Sequence, residues 1–403
     1  MLEGFWVRNF RSLRQVGIGT CYGRFVFIED ETNLLPYELT PVTVFVGANG
    51  SGKTTVIDAV NFVSDCYRYG ADVAVLKRGG YDTIYSQGSS GPITIGFRYR
   101  QKDEVDVVTY AISIDCTKNK VPYIAAEILA YQRGSESVPV FFLQNGAKTI
   151  RYLAQDERLS NADLTKIEFT DYNHLGLAAL ESHPKYPVVH SLRHFFETWT
   201  LCHFTPDPAR GLDKLLPRRQ ESPRGVSLSG FVRYIVERYK NSVKQLLNRV
   251  AQAMPGVEKI FIDETDPSKP LVSFQMDDRD VPVPISYISA GRIRLFTHLL
   301  FLMEESSAPL AAFEEPENGL DKHHRTAFVD AVLEFEKSAS SGQVFINTHH
   351  PAVVNMMQPR QVWVFEKDRD GFTAVERASD SFFLDSDTPY TPDWFSVNFD
   401  EKR

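Results

Sequence analysis

The chain has 403 residues, of which 43% are hydrophobic and 24% charged, and its formal net charge is −8 at pH 7. The length suffices for roughly two or three domains, and the proportions are those of an ordinary globular protein. The acidic balance excludes a chain-wide nucleic-acid footprint, so any such contact has to be local. Four cysteines (Cys21, Cys66, Cys116, Cys202) lie far apart without a C-x-x-C pair. That argues for reduced thiols and against a zinc site. The opening Met1-Leu2-Glu3-Gly4-Phe5-Trp6 lacks a basic end followed by a long apolar core, and the most apolar helical stretch, 295–303, is too short to span a bilayer. The expectation is a cytoplasmic protein with no membrane contact.

In chain order, strand patterns come first: Phe5-Trp6-Val7-Arg8-Asn9-Phe10 and Arg24-Phe25-Val26-Phe27-Ile28. Thr43-Val44-Phe45-Val46 reads as a short buried strand. It runs into Gly47-Ala48-Asn49-Gly50-Ser51-Gly52-Lys53-Thr54, and residues 55–63 read as a helix. Further strands at 93–99, 107–114 and 123–131 form a meander. The stretch 154–224 is polar and carries no clear element. A helix is expected over 228–253, where Val232, Val236, Tyr239, Val243, Leu246 and Val250 alternate steps of four and three and Pro255-Gly256 ends the run. After a strand at 271–276, Pro309-Leu310-Ala311-Ala312-Phe313 is an apolar strand ending in Glu314-Glu315. Gln343-Val344-Phe345-Ile346-Asn347 is another, ending in Thr348-His349-His350-Pro351.

The 47–54 stretch fits G-x-x-x-x-G-K-[ST] without mismatch, in the strand–turn–helix context that this motif needs. Such a loop lets backbone N–H groups curl around phosphate oxygens while the helix N-terminus adds positive potential. Lys53 would reach the β- and γ-phosphates, and the Thr54 hydroxyl would ligate Mg²⁺. Glu314 and Glu315 have the form of a Walker B strand end. The first carboxylate would hold the magnesium shell, and the second would orient or deprotonate the attacking water. Adjacent carboxylates after a buried strand are costly unless a cation neutralises them. In an α/β sheet these distant strand ends can meet at the carboxyl edge, where ligands bind, leaving the segment between them as an insertion.

Glu314-Glu315-Pro316-Glu317-Asn318-Gly319-Leu320, with the later Thr348-His349-His350-Pro351, resembles the ABC-type ATPase heads of the SMC/RecF class. The nearest group is that of the stand-alone bacterial AAA-family ATPases related to RecF and the OLD proteins. Asn9-Phe10-Arg11-Ser12-Leu13 is similar to the family's opening strand and turn, and 47–55 to its Walker A. Ile288-Ser289-Ala290-Gly291-Arg292-Ile293-Arg294 sits where the signature motif lies. Asp321 falls in the D-loop, and His349 matches the switch histidine. The middle, 100–226, matches only loosely. The fold this implies is α/β: a P-loop ATPase head with an antiparallel β subdomain, a mostly helical insertion and no long coiled-coil arm. The composite head would comprise 1–100 and 257–403, with 101–256 as the insertion, a β meander followed by a helical segment.

The resemblance also implies a shared ATP site. Gly47, Asn49, Gly50, Ser51, Gly52, Lys53, Thr54 and Thr55 would bind ATP, with Arg11 as a further contact. Thr54 and Glu314 would hold Mg²⁺, and Glu315, His349 and Lys53 would carry catalysis. Ser289, Gly291 and Asp321 would come from a second copy in an ATP-sandwich homodimer. This sequence departs from the pattern in three places: Glu314 stands where many relatives have Asp, Ala290 replaces an acidic or glycine residue, and His350 replaces a serine. The Q-loop glutamine is not assignable, Gln87 and Gln144 both being weak matches. A basic run (Arg210, Lys214, Arg218, Arg219, Arg224, Arg233, Arg238, Lys240, Lys244, Arg249) reads as a solvated helix face, a nucleic-acid contact or a docking site for an acidic partner. The functional expectation is an ATP-dependent switch acting on a separately encoded effector, a nuclease or toxin, in bacterial antiphage defence. The alternative is a RecF-like DNA-binding ATPase of repair or chromosome maintenance.

Overall fold

The computed structural model describes residues 1–21, 39–100, 107–133, 136–144, 149–152, 165–168, 172–179, 187–202, 232, 235–237, 239, 242–263, 271–304, 310–338 and 342–380. The strands are β1 (Leu2–Phe10), β2 (Leu13–Gly19), β3 (Val42–Gly47), β4 (Ile93–Arg100), β5 (Val107–Cys116), β6 (Pro122–Arg133), β7 (Glu136–Gln144), β8 (Thr149–Tyr152) and β9 (Thr165–Glu168). They continue with β10 (Thr200–Cys202), β11 (Val257–Asp263), β12 (Leu271–Met276), β13 (Val283–Pro284), β14 (Leu310–Glu314), β15 (Gln343–Thr348), β16 (Val362–Lys367) and β17 (Thr373–Arg377). The chain divides into two units, one made of Met1–Trp199 and Pro359–Ser381, the other centred on Thr200–Gln358.

In the first unit six strands form an antiparallel sheet in the order β2-β1-β4-β5-β6-β7. The meander expected at 93–131 is its centre. Its apolar residues pack on two helices, Lys53–Tyr69 and Pro187–Thr198. Phe10 meets Phe62 at 5.4 Å between ring centroids, and Phe196 lies 5.5 Å from Phe97 and 5.6 Å from Tyr110. Glu127 is fully buried in this sheet. Tyr110 Oη donates to it at 2.8 Å, and the backbone N–H groups of Gly176 and Leu177 donate to it at 2.5 and 3.0 Å. Burial pushes its carboxyl up to about 7, against those three donors. A second ladder joins β3 in parallel to β16, and β16 antiparallel to β17.

The second unit contains three parallel strands, β10-β14-β15. β14 and β15 are continuous runs of buried residues, as parallel strands covered on both faces require. The helices Ala290–Met303 and Lys322–Ser338 belong to this unit. His298 on the first lies between Phe313 of β14, at 5.2 Å, and Phe328 of the second, at 5.4 Å. Burial lowers its imidazole to about 3, so it stays neutral. Strands β11, β12 and β13 form a small antiparallel sheet.

Among the described residues the longest helices, Lys53–Tyr69 and Lys322–Ser338, have 17 residues each, and no helix is long and apolar enough to cross a membrane. The helix expected over 228–253 is not continuous. Its described residues are helical at 232, at 235–237 and over Val243–Ala253, and non-helical at Tyr239, with Ser242 at the N-cap position but making no side-chain cap hydrogen bond. The strand expected at 24–28 and the basic residues of 210–240 lie outside the described residues, whereas Lys244 and Arg249 are exposed on the Val243–Ala253 helix. Cys21, Cys66 and Cys116 are free thiols.

Candidate functional site

The first cluster lies in the first unit. β3 ends at Gly47, and the helix Lys53–Tyr69 opens directly after Gly52, as the motif demands. Lys53 is buried, and its ammonium donates to Gly47 O at 2.6 Å and Ala48 O at 3.0 Å. Val56 N makes the first i→i−4 bond, to Gly52 O at 3.0 Å, so the opening turn presents the positive end of the helix dipole at the loop. Ala48, Asn49, Gly50 and Thr54 are exposed, and Thr55 is half-buried. The Ser51 hydroxyl is buried without a hydrogen-bond partner.

The loop is backed by the β16–β17 hairpin, a contact for which sequence reading gave no warning. Thr373 Oγ1 donates to Ser51 O at 2.7 Å and lies 2.9 Å from Ser12 Oγ, while Thr373 N donates to Ser12 O at 2.9 Å. Gly52 has φ +114°, and a Cβ there would lie 2.2 Å from Thr373 Oγ1, so the position admits only glycine. Arg11, in the β1–β2 turn, pairs with Asp58 of the loop helix at 3.0 Å. Arg78 pairs with the same Asp58 and with Asp65, each at 2.8 Å. Gln87 is exposed in a turn, and the side chain of Gln144 lies outside the described residues.

The second cluster lies in the second unit, where β14 and β15 run side by side and Glu314 is in register with Asn347. Glu315 follows with φ +43°, a left-handed conformation uncommon outside glycine. Its N–H donates to Asn347 O at 2.8 Å. Its two carboxylate oxygens have separate partners: Oε1 lies 3.2 Å from His349 Nδ1, and Oε2 accepts from Asn318 Nδ2. Thr348 Oγ1 donates to the buried Glu317 at 2.5 Å and accepts from His350 N at 3.0 Å, fixing the backbone on either side of His349. Burial raises the carboxyl of Glu317, with the Thr348 hydrogen bond working in the other direction.

Ser289 is exposed and caps the helix Ala290–Met303, its Oγ accepting from Arg292 N at 3.4 Å. At Gly291 a Cβ would lie 2.5 Å from Gly319 O, so the signature segment packs directly on the turn after β14. Asp321 caps the next helix, with Oδ1 accepting from His324 N at 2.9 Å and Oδ2 lying 2.7 Å from His324 Nδ1. The second unit thus brings Glu314, Glu315, His349, Ser289, Gly291 and Asp321 into adjoining turns and strand ends. Arg294 and Glu317, which sequence reading left without a role, lie beneath them.

The family described as "AAA domain, putative AbiEii toxin, Type IV TA system" matches residues 42–355. The chain belongs to this AAA-domain family. No curated protein matches it. Among solved structures, an SMC head bound to the C-terminal winged-helix domain of ScpA matches with a TM-score of 0.53 at 14% identity, over 93% of this chain and 97% of that one. The SMC head of Thermotoga maritima matches with a TM-score of 0.46 at 17% identity, over 93% and 98% of the two chains. The fold is that of an ABC-type, SMC-like ATPase head.

The residues of this AAA domain fit a nucleoside triphosphate. Lys53 offers a buried ammonium, Ser51 an unsatisfied buried hydroxyl, and the helix start a positive dipole end. Among the described residues no group of three His, Cys, Asp or Glu could hold a metal by itself. Magnesium in phosphoryl transfer needs only one or two protein oxygens besides phosphates and water, and the exposed Thr54 hydroxyl is an oxygen of that kind at the loop.

Proposed function

We propose that the chain binds ATP with Mg²⁺ at the 47–54 loop and hydrolyses it as a homodimer, using the cycle as a switch for a partner. The observation that carries the reading is the Glu315–His349 pair, held in a left-handed backbone at the end of a buried strand. Such strain persists only where the surroundings enforce it, and it collects at functional sites. Lys53 would balance charge on the β- and γ-phosphates, with Gly47, Asn49, Gly50, Ser51, Gly52 and Thr55 shaping the loop around them. Thr54 and Glu314 would ligate the metal, which when bound offsets negative charge on the phosphate oxygens. Glu315 would take the proton of the attacking water. His349, donating Nδ1–H to Glu315, keeps Nε2 as an acceptor toward that water. Ser289 and Gly291 of a second copy would stabilise γ-phosphate charge from the far side, with Asp321 nearby. Arg11 would act through Asp58, stiffening the loop helix.

The family description names a toxin and a toxin–antitoxin system, and the SMC head of similar fold binds a domain of a separate protein. On those grounds we propose a separately encoded effector, a nuclease or toxin, in antiphage defence. Calorimetry on Lys53→Ala tests the nucleotide site: ATP binding should vanish, and retained micromolar affinity would remove the basis of the proposal. A pull-down from the native host tests the effector, for which a nuclease or toxin must co-purify.

A further inference from the structure

Arg294 lies one turn into the helix that Ser289 caps, and it is buried. Its Nη1 donates to Asn318 O at 2.5 Å and to Glu315 O at 3.4 Å. Those two carbonyls bound a tight turn, closed by Asn318 N donating to Glu315 O at 3.0 Å. The same turn contains the left-handed Glu315 and, through Asn318 Nδ2, holds one of its carboxylate oxygens. One residue further on, Gly319 O packs where a Cβ of Gly291 would be, so helix and turn have no slack between them.

Burying a guanidinium is costly, and an apolar residue of similar volume would serve mere packing as well or better. What the guanidinium adds is Nη1, whose two N–H groups hold two carbonyl oxygens at once. Here both belong to the turn that aims Glu315. Burial lowers the pKa of the guanidinium, with the nearby carboxylates of Glu317 and Glu315 working in the other direction.

We infer that Arg294 is a positioning residue that fastens the Glu315 turn to the signature helix, so that the placement of the carboxylate follows the seating of that helix. The inference rests on Glu315 serving the attacking water. A helix shifted by the second copy or its nucleotide would carry Glu315 with it. A misplacement of about 1 Å at a reacting group can cost about a hundredfold in rate.

The test uses the full chain with Arg294→Gln, Arg294→Lys and Arg294→Ala beside Glu315→Gln, measuring ATP affinity, kcat, KM and melting temperature. Arg294→Gln should keep ATP affinity and KM within about threefold while kcat falls about ten- to a hundredfold. Arg294→Lys should recover only part of kcat, because its ammonium ends one bond short of the position that Nη1 occupies. Millimolar guanidinium ion should raise kcat in Arg294→Ala. Wild-type kcat in Arg294→Gln, with Glu315→Gln inactive, overturns the inference alone. A joint fall of affinity, kcat and melting temperature that guanidinium does not reverse also overturns it, leaving a structural role. Wild-type hydrolysis by Glu315→Gln instead overturns the reading of Glu315 itself. Should Arg294→Gln fail to fold, wild-type kcat in Arg294→Lys counts against the inference.

Discussion

His349 Nδ1 lies 3.2 Å from Glu315 Oε1, while the other oxygen of the same carboxylate accepts from Asn318. The carboxylate is thereby gripped from both sides by residues of two different strand ends. Replacing Glu315 with Gln keeps the shape and removes the proposed base. The variant should bind ATP, hydrolyse it at least about a hundredfold more slowly, and accumulate dimers. Light scattering with and without ATP, beside a phosphate-release assay, checks both; near-normal turnover would exclude Glu315 as the base.

Ser289→Arg should leave ATP affinity intact and lower hydrolysis under the proposed arrangement, in which the exposed serine serves the nucleotide of the other copy. Mixing it with Lys53→Ala reconstitutes one complete site in a mixed dimer. Activity should therefore return in mixtures of two inactive proteins. Absence of recovery at every ratio would count against a shared site.

Thr373→Val removes the hydroxyl that supports Ser51 O and keeps the β-branched shape. Losing one buried hydrogen bond costs about 1–3 kcal/mol, so ATP affinity should weaken roughly tenfold. Thr373→Ser should restore it. Equal affinity in the Val and wild-type proteins would show that the hairpin does not support the loop.

Glu127 gives a pH signature. Its carboxyl is raised to about 7 in the folded chain from an ordinary 4.5, so the folded state holds the proton more tightly. Its stabilising contribution is full below about 4.5 and lost as pH rises through about 7. His298, lowered to about 3, contributes in the opposite sense, losing stability as pH falls below 6.5. The informative quantity is therefore the difference in melting temperature between wild type and Glu127→Gln. It should be larger at pH 5 than at pH 8, and a constant difference would contradict the shift.

The strand–loop–helix at 43–63 and the strands ending at Glu314 and Thr348 were legible in the sequence because each is a contiguous signal, an apolar run ending in a short polar motif. The meander at 93–131 was legible for the same reason, through residue alternation. Thr373 was not, since its partners Ser51 and Ser12 lie 322 and 361 positions away and a lone threonine carries no local pattern. Arg294 reads as one more basic residue on a helix until the fold sets the Glu315 turn against it. The 228–253 helix failed in the other direction. Its apolar spacing is regular, yet the backbone leaves helix at Tyr239, and periodicity does not register such breaks. Asp321 had a visible second meaning, since an aspartate just before a helix start is a capping signal.

The Ser51–Thr373 hydrogen bond has a consequence for synthesis. The phosphate loop leaves the ribosome early, but the hydroxyl that supports it follows 322 residues later. At translation rates of about 5–20 residues per second that delay is roughly 16 to 64 s. β3 also waits for its parallel neighbour β16. A nascent chain therefore carries the 47–54 loop without its backing until the β16–β17 hairpin emerges. Ribosome-bound chains arrested before residue 373 should hold ATP more weakly than released protein.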